Sequence, residues 1–252
     1  MEKKTEGKPE DLGVRFLYRL KDKQATRPLY EQTFQDSKVY VDLYYREKCR
    51  DNVIAVKEEP AFSAGVPEEE KPGGAEGSGR GRVLSMAHLN PYLLSVRGLP
   101  VRTFMLAAVA TVPESRRKGH MRDVLDAAFD WLAEQGVPFV ILLPVDPAIY
   151  EPFGFEAVCE FTKEEPEIPA EEYDVYIIPD LAVRERRAAE RAAEETLKAA
   201  GEQDEDWPED PVIMAKVTDA AAFDRMAGRD FDNDAARLAW LRSLKICISE
   251  GV

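Results

Sequence analysis

The run Arg116–Arg117–Lys118–Gly119–His120–Met121–Arg122 holds three consecutive cations, a glycine and a fourth cation one turn later. It follows an apolar stretch, Leu106–Val112, and precedes apolar residues at helical spacing: Val124, Leu125, Ala128, Trp131 and Leu132. A strand entering a basic loop that opens a helix has a chemical consequence. The first turn of a helix leaves four main-chain N–H groups without partners, at the positive end of the helix dipole. Such a turn binds anions. Gly119 lets the main chain approach the anion with no Cβ in the way, and the cations add charge complementarity. The expected ligand group is one diphosphate. The spacing is neither a Walker loop nor a dinucleotide fingerprint. A basic loop that only caps a surface helix has the same composition, but the flanking apolar strands favour the cradle.

The surrounding pattern supplies the frame. Val14–Arg19 alternates as a strand, Lys21–Phe34 and Asp36–Lys48 read as helices, and Asn52–Val56 is a short strand. Residues 58–82 carry three prolines and six glycines around an EEEK run, a composition that reads as a mobile insertion. Val83–Leu89 and Val101–Val112 are the next strands, joined by a turn across Asn90–Pro100. The helix His120–Gln135 is closed by Gly136. Val137–Leu143 is an apolar strand, Pro147–Tyr150 a helical turn and Phe153–Phe161 another strand. Beyond that, Tyr173–Ile178, Val212–Val217 and Ile246–Ile248 suit strands. Leu181–Ala200, Ala220–Met226 and Ala235–Leu244 suit helices.

Composition narrows the function. The net charge is −14, and residues 156–210 hold nineteen Asp and Glu against six Lys and Arg. That charge disfavours nucleic acid and anionic membranes as partners, and it suits a cationic substrate as well as it suits plain solubility. The longest apolar runs are far too short to span a bilayer. Cys49, Cys159 and Cys247 are scattered, with no metal-ligand spacing and no disulfide framework. The expected setting is cytoplasmic and free of metal, and the chain is compatible with a homo-oligomer.

The pattern R-x-x-G-x at a strand-to-helix junction resembles the acetyl-CoA motif of the GNAT superfamily of N-acetyltransferases. The run VATVPESRRKGHMRDVL, followed by IYEPFGF, resembles the Eis-type branch more closely, although Met121 stands where many members have a second Gly or Ala. The resemblance covers roughly residues 14–162 and implies an α/β (α+β) acyl-CoA N-acyltransferase fold, a central mixed sheet flanked by helices. Two middle strands would splay apart near Val109 and Leu142. Together with composition, this divides the chain into a disordered tail at 1–10, an acetyltransferase domain at 11–165 and an acidic C-terminal region at 166–252, read as a reduced accessory domain.

The resemblance also assigns roles. Val109, Ala110 and Thr111 would offer main-chain groups to the pantetheine arm of acetyl-CoA. The amides of Arg117, Lys118, Gly119, His120, Met121 and Arg122 would hold its pyrophosphate, with Arg116 and Arg117 near the phosphates. Tyr150 would be the general acid that protonates the departing thiolate, and the terminal carboxylate of Val252 would help deprotonate the acceptor. That acceptor would be an amine on a small molecule or a peptide, acetylated by direct attack. A non-catalytic acetyl-CoA-binding sensor or scaffold is the alternative. His88 is either a base or substrate contact, or a buried structural histidine. Tyr18, Tyr30, Phe34, Tyr40, Tyr44 and Tyr45 line an acceptor pocket or form core.

Overall fold

The computed structural model describes residues 13–59, 81–161, 169–179, 181–200 and 210–249. Val252, the tail at 1–10, and most of the 58–82 insertion lie outside these residues. One mixed sheet organises the chain. Its main path runs β1 (Val14–Leu17), β2 (Val53–Glu58), β3 (Val83–Val96), β4 (Leu99–Thr111), β5 (Phe139–Leu142), β8 (Val212–Val217), β6 (Glu156–Glu160). Only β4 and β5 are parallel along this path. The far half of β3 also pairs with β7 (Val175–Ile177), which pairs with β9 (Ile246–Cys247).

Helices cover both faces. On one face α2 (Arg27–Phe34) and α3 (Lys38–Asp51) bury Leu29, Tyr30, Val41, Tyr44 and Tyr45 against Ile54, Met86, Ala108 and Ala110. On the other, α4 (His120–Glu134) lays Val124, Leu125, Ala128, Phe129 and Leu132 over Ala55, Ala87, Phe104 and Leu142. Each large side chain buried there contributes about 1.5–3 kcal/mol.

Three expectations change. The helix read over 21–34 is broken: α1 (Leu20–Lys23) passes through a 3₁₀ turn at Gln24–Thr26 into α2, with Pro28 in its first turn. The helix read from Asp36 begins at Lys38: Ser37 caps it, its hydroxyl accepting from the Tyr40 amide, while Asp36 accepts from the Tyr30 hydroxyl. Asn90–Pro100 is not a long turn, because β3 runs on to Val96 and the reversal is Arg97–Gly98, both at positive φ. Pro91 is tolerated there because it falls between the stretch paired with β2 and the stretch paired with β7.

Residues beyond 165 do not stand apart as an accessory unit. They supply β7, β8 and β9, and β8 lies between β5 and β6. Ile213, Ala215, Val217, Phe223, Leu238 and Leu241 share one core with Met105, Phe139 and Ile141. After α5 (Leu181–Ala200), the apolar faces of α6 (Ala220–Ala227) and α7 (Asp234–Arg242) are too small to be buried alone, and the sheet gives them a partner.

Candidate acetyl-CoA site

The parallel pairing of β4 with β5 covers only Phe104–Leu106 against Val140–Leu142. β5 ends at Leu142, and past Leu106 β4 continues to Thr111 without a strand partner on that side among the described residues, which leaves the edge open. A bulge lies at the opening. His88 pairs with Ala107 and Met86 with Ala110, so Ala87 faces two residues, Ala108 and Val109. Ala108 sits at φ +46, a left-handed conformation that is costly for a residue with a Cβ. The strand rejoins the β3 ladder at Ala110, and just past its end the Val112 N–H donates to the Leu84 carbonyl at 2.9 Å. Alternation then turns the main-chain groups of Val109 and Thr111 toward the open side. Ala110 departs from expectation: it faces β3, and its carbonyl accepts from Ser85 Oγ at 3.1 Å.

Beyond the strand, Pro113–Ser115 makes one 3₁₀ turn. Left-handed conformations at Arg117 (φ +60) and Gly119 (φ +88) then curl the loop into α4. A Cβ at Gly119 would meet nothing within 4 Å, so the glycine answers a backbone conformation and leaves open space in front of it. Among the described residues, no protein acceptor meets the main-chain N–H groups of Arg117 to Arg122, and no side chain caps the helix. Asp123 is the first amide to enter the helix ladder, donating to the Gly119 carbonyl at 3.0 Å. The cationic side chains divide. Arg117 and Lys118 are exposed. Arg116 folds back, its Nε donating to the Thr111 carbonyl at 3.2 Å. Arg122 lies over the Phe153 ring, 4.7 Å from its centre.

Tyr150 is held by a different local logic. Asp146 caps the turn Pro147–Ile149 by accepting from the Ala148 amide. The Tyr150 amide donates to the Pro147 carbonyl, and a second 3₁₀ turn, Glu151–Phe153, ends in Gly154 at φ +84. The ring meets Phe155 edge-on at 6.0 Å between centres, and Phe155 and Phe153 both pack on Phe129 of α4. Burial pushes the Tyr150 hydroxyl up to about 12, so it keeps its proton at neutral pH. The apolar side chains of Val145 and Ile149 stand exposed on the same loop.

His88 is not at this edge. It is fully buried, with Nδ1 3.0 Å from the Tyr44 hydroxyl and Nε2 without a hydrogen-bond partner. Burial, with the nearby Lys23 cation adding to it, holds the ring neutral and its pKa down at about 3. Tyr30, Tyr44 and Tyr45 pack around it as core, Phe34 and Tyr40 are half-buried, and Tyr18 is exposed. Lys23, which no motif or spacing marks, is buried and donates to the Cys49 and Asn52 carbonyls at 2.8 and 2.5 Å, capping the end of α3. Among the described residues, no group of three potential metal ligands comes together, and no helix is long and apolar enough to cross a membrane.

Residues 21–158 match the model of the acetyltransferase (GNAT) domain. The chain belongs to this family, and its sheet and helices form the GNAT fold. Among solved structures, it is similar to a putative N-acetyltransferase from Lactobacillus plantarum, with 15% identity, 81% of this chain and 97% of the other covered, and a TM-score of 0.46. It is also similar to a GNAT family N-acetyltransferase from Escherichia coli in complex with CoA, with 17% identity, 86% and 85% covered, and a TM-score of 0.45. A third is a probable N-acyltransferase from Enterococcus faecalis, with 14% identity and a TM-score of 0.45. That match covers 58% of this chain but spans only 33% of the Enterococcus protein. No protein of curated function matches the sequence.

Proposed function

We propose that the chain is an acetyl-CoA-dependent N-acetyltransferase that moves an acetyl group to an amine by direct attack. One continuous stretch carries the reading. An unpaired strand edge at Val109–Thr111 leads into a loop whose amides, Arg117 to Arg122, have no protein acceptor among the described residues. An extended pantetheine arm suits the first, because a peptide-like chain adds to a free sheet edge. A diphosphate suits the second. Family membership supports the same donor. The motif residues around Arg116–Arg122 and Tyr150–Phe155 favour the Eis-type branch.

In this reading the neutral acceptor amine attacks the thioester carbonyl carbon, the C–S bond breaks, and the sulfur leaves with the bonding electron pair. Tyr150 supplies a proton to that sulfur, and the proton lost by the amine nitrogen restores the phenol. The products are an amide and free CoA thiol. A phenol near 12 is a weak acid, so its assistance is a short hydrogen bond that becomes a transfer as negative charge builds on sulfur. The amine must be neutral to attack, and the acidic surface favours approach of its cationic form.

The test is release of CoA thiol from acetyl-CoA with a panel of polyamines, aminoglycosides and amino-terminal peptides. Turnover with any of them supports transfer. CoA binding without turnover on any acceptor favours the sensor or scaffold instead.

A further inference from the structure

The first turn of α4 contains a carboxylate, Asp123, one turn inside the amides assigned above to the diphosphate. By helix geometry it lies about 6 Å along the axis from Gly119. A carboxylate suits the positive end of a helix when that end is empty. It opposes a second anion bound at the same end, at a distance where salt screens little. The structure answers this charge. Lys57, near the end of β2, pairs through its Nζ with Asp123 of the helix that covers this face of the sheet. Both side chains are largely sheltered, at 22% and 26% exposure. Lys57 is held in register, because Lys57 pairs with Ser85 and Ser85 with Thr111, so one row crosses β2, β3 and β4 to the strand end that feeds the loop. The Ser85 and Thr111 hydroxyls, 2.9 Å apart, continue that row.

The geometry points to Lys57 as a positioning and charge-compensating residue for the diphosphate cradle. It pins the first turn of α4 to the sheet and cancels the carboxylate that this turn carries. This inference rests on the reading of the cradle given above. Its sign differs from that of an ordinary structural ion pair. In a staple, either partner's loss is harmful. In a compensating pair, loss of the lysine exposes the carboxylate, whereas loss of the carboxylate removes the problem.

Titration calorimetry of the full chain with CoA, alongside thermal melts without ligand, separates these cases. Lys57→Met should weaken CoA binding about tenfold at low salt, with the loss shrinking as salt is raised. Lys57→Arg should bind as the wild type does. Asp123→Asn should bind CoA at least as tightly as the wild type, and Lys57→Met with Asp123→Asn should recover most of the loss. Asp123→Asn as weak as Lys57→Met, or Lys57→Met indistinguishable from wild type, overturns the inference. Failure of the wild-type chain itself to bind CoA overturns the cradle, and this inference with it.

Discussion

The guanidinium of Arg122 rests 4.7 Å from the centre of the Phe153 ring, joining the first turn of α4 to the turn that carries Tyr150. Phe153 and Phe155 both pack on Phe129 of the same helix, and Phe155 meets the Tyr150 ring. One helix therefore carries the proposed diphosphate amides at its start and braces the proposed acid along its side. Replacing Arg122 with Met should weaken CoA binding several-fold. It should also lower kcat, because a cation–π contact worth about 0.5–2 kcal/mol no longer holds the turn. A change in KM for acetyl-CoA with kcat untouched would refute the mechanical link.

Gly119 adopts φ +88 with open space beyond its Cα. Gly119→Ala should destabilise the loop by about 1 kcal/mol through backbone strain alone. Gly119→Glu should abolish CoA binding, since it also places a carboxylate before the amides. Calorimetry checks both, and tight CoA binding by Gly119→Glu would place the ligand elsewhere.

Tyr150→Phe keeps the ring against Phe155 and removes only the proton. The expected result is a fall in kcat of roughly 10²–10⁴-fold with little change in KM for acetyl-CoA. Because the hydroxyl is raised to about 12, its contribution to stability is complete below pH 10 and is lost as pH rises through 12. No Tyr150 ionisation should therefore appear in the kcat profile below pH 10. Steady-state kinetics over that range decides, and wild-type kcat in the phenylalanine variant would remove Tyr150 from the mechanism.

His88 gives a signal at the other end of the scale. Its folded pKa is near 3 against 6.5 when unfolded. The unfolded chain therefore binds a proton there that the native chain refuses. The stability contributed by the neutral ring is complete above pH 6.5 and drains away toward pH 3, at about 1.4 kcal/mol per pH unit. Urea titrations of the wild type and His88→Gln at pH 7, 6, 5 and 4 should show the smaller slope in the variant. Equal slopes would mean that the ring is accessible to protons in the native state.

At the bulge, Ala108 holds φ +46 with its methyl packed in the core. Ala108→Val should destabilise the protein by about 2 kcal/mol or more, because a β-branched residue resists that conformation. Transfer activity should fall further than stability, since the bulge turns Val109 toward the opening. Ala108→Gly should be close to neutral in thermal melts. A valine variant with full stability and activity would show that the bulge can be flattened without consequence.

Much of this arrangement was legible in the chain. Helical spacing from Val124 to Leu132 defined α4, and Gly119 marked its start. The apolar run Leu106–Val112 defined the strand before it. These are local properties: a residue's own φ preference, its neighbours' periodicity, and the charge of a few adjacent side chains. The turn at Arg97–Gly98 was misread because Asn90 and Pro91 look like turn residues, and only the gap between β2 and β7 explains why they sit in a strand. The fate of His88 was equally hidden, since a histidine on an alternating strand faces either water or core.

By itself the sequence determined the strand, the loop, the helix and the presence of a phenol after Pro147, because each follows from short-range sterics and patterning. Tertiary structure alone decided that β4 parts from β5 after Leu106 and that Ala110 turns to β3 while Val109 does not. It also decided that β8, more than fifty residues beyond β6, enters the sheet between β5 and β6. Those outcomes depend on which distant strand meets which, and pairing across such distances leaves no trace in any local window of residues.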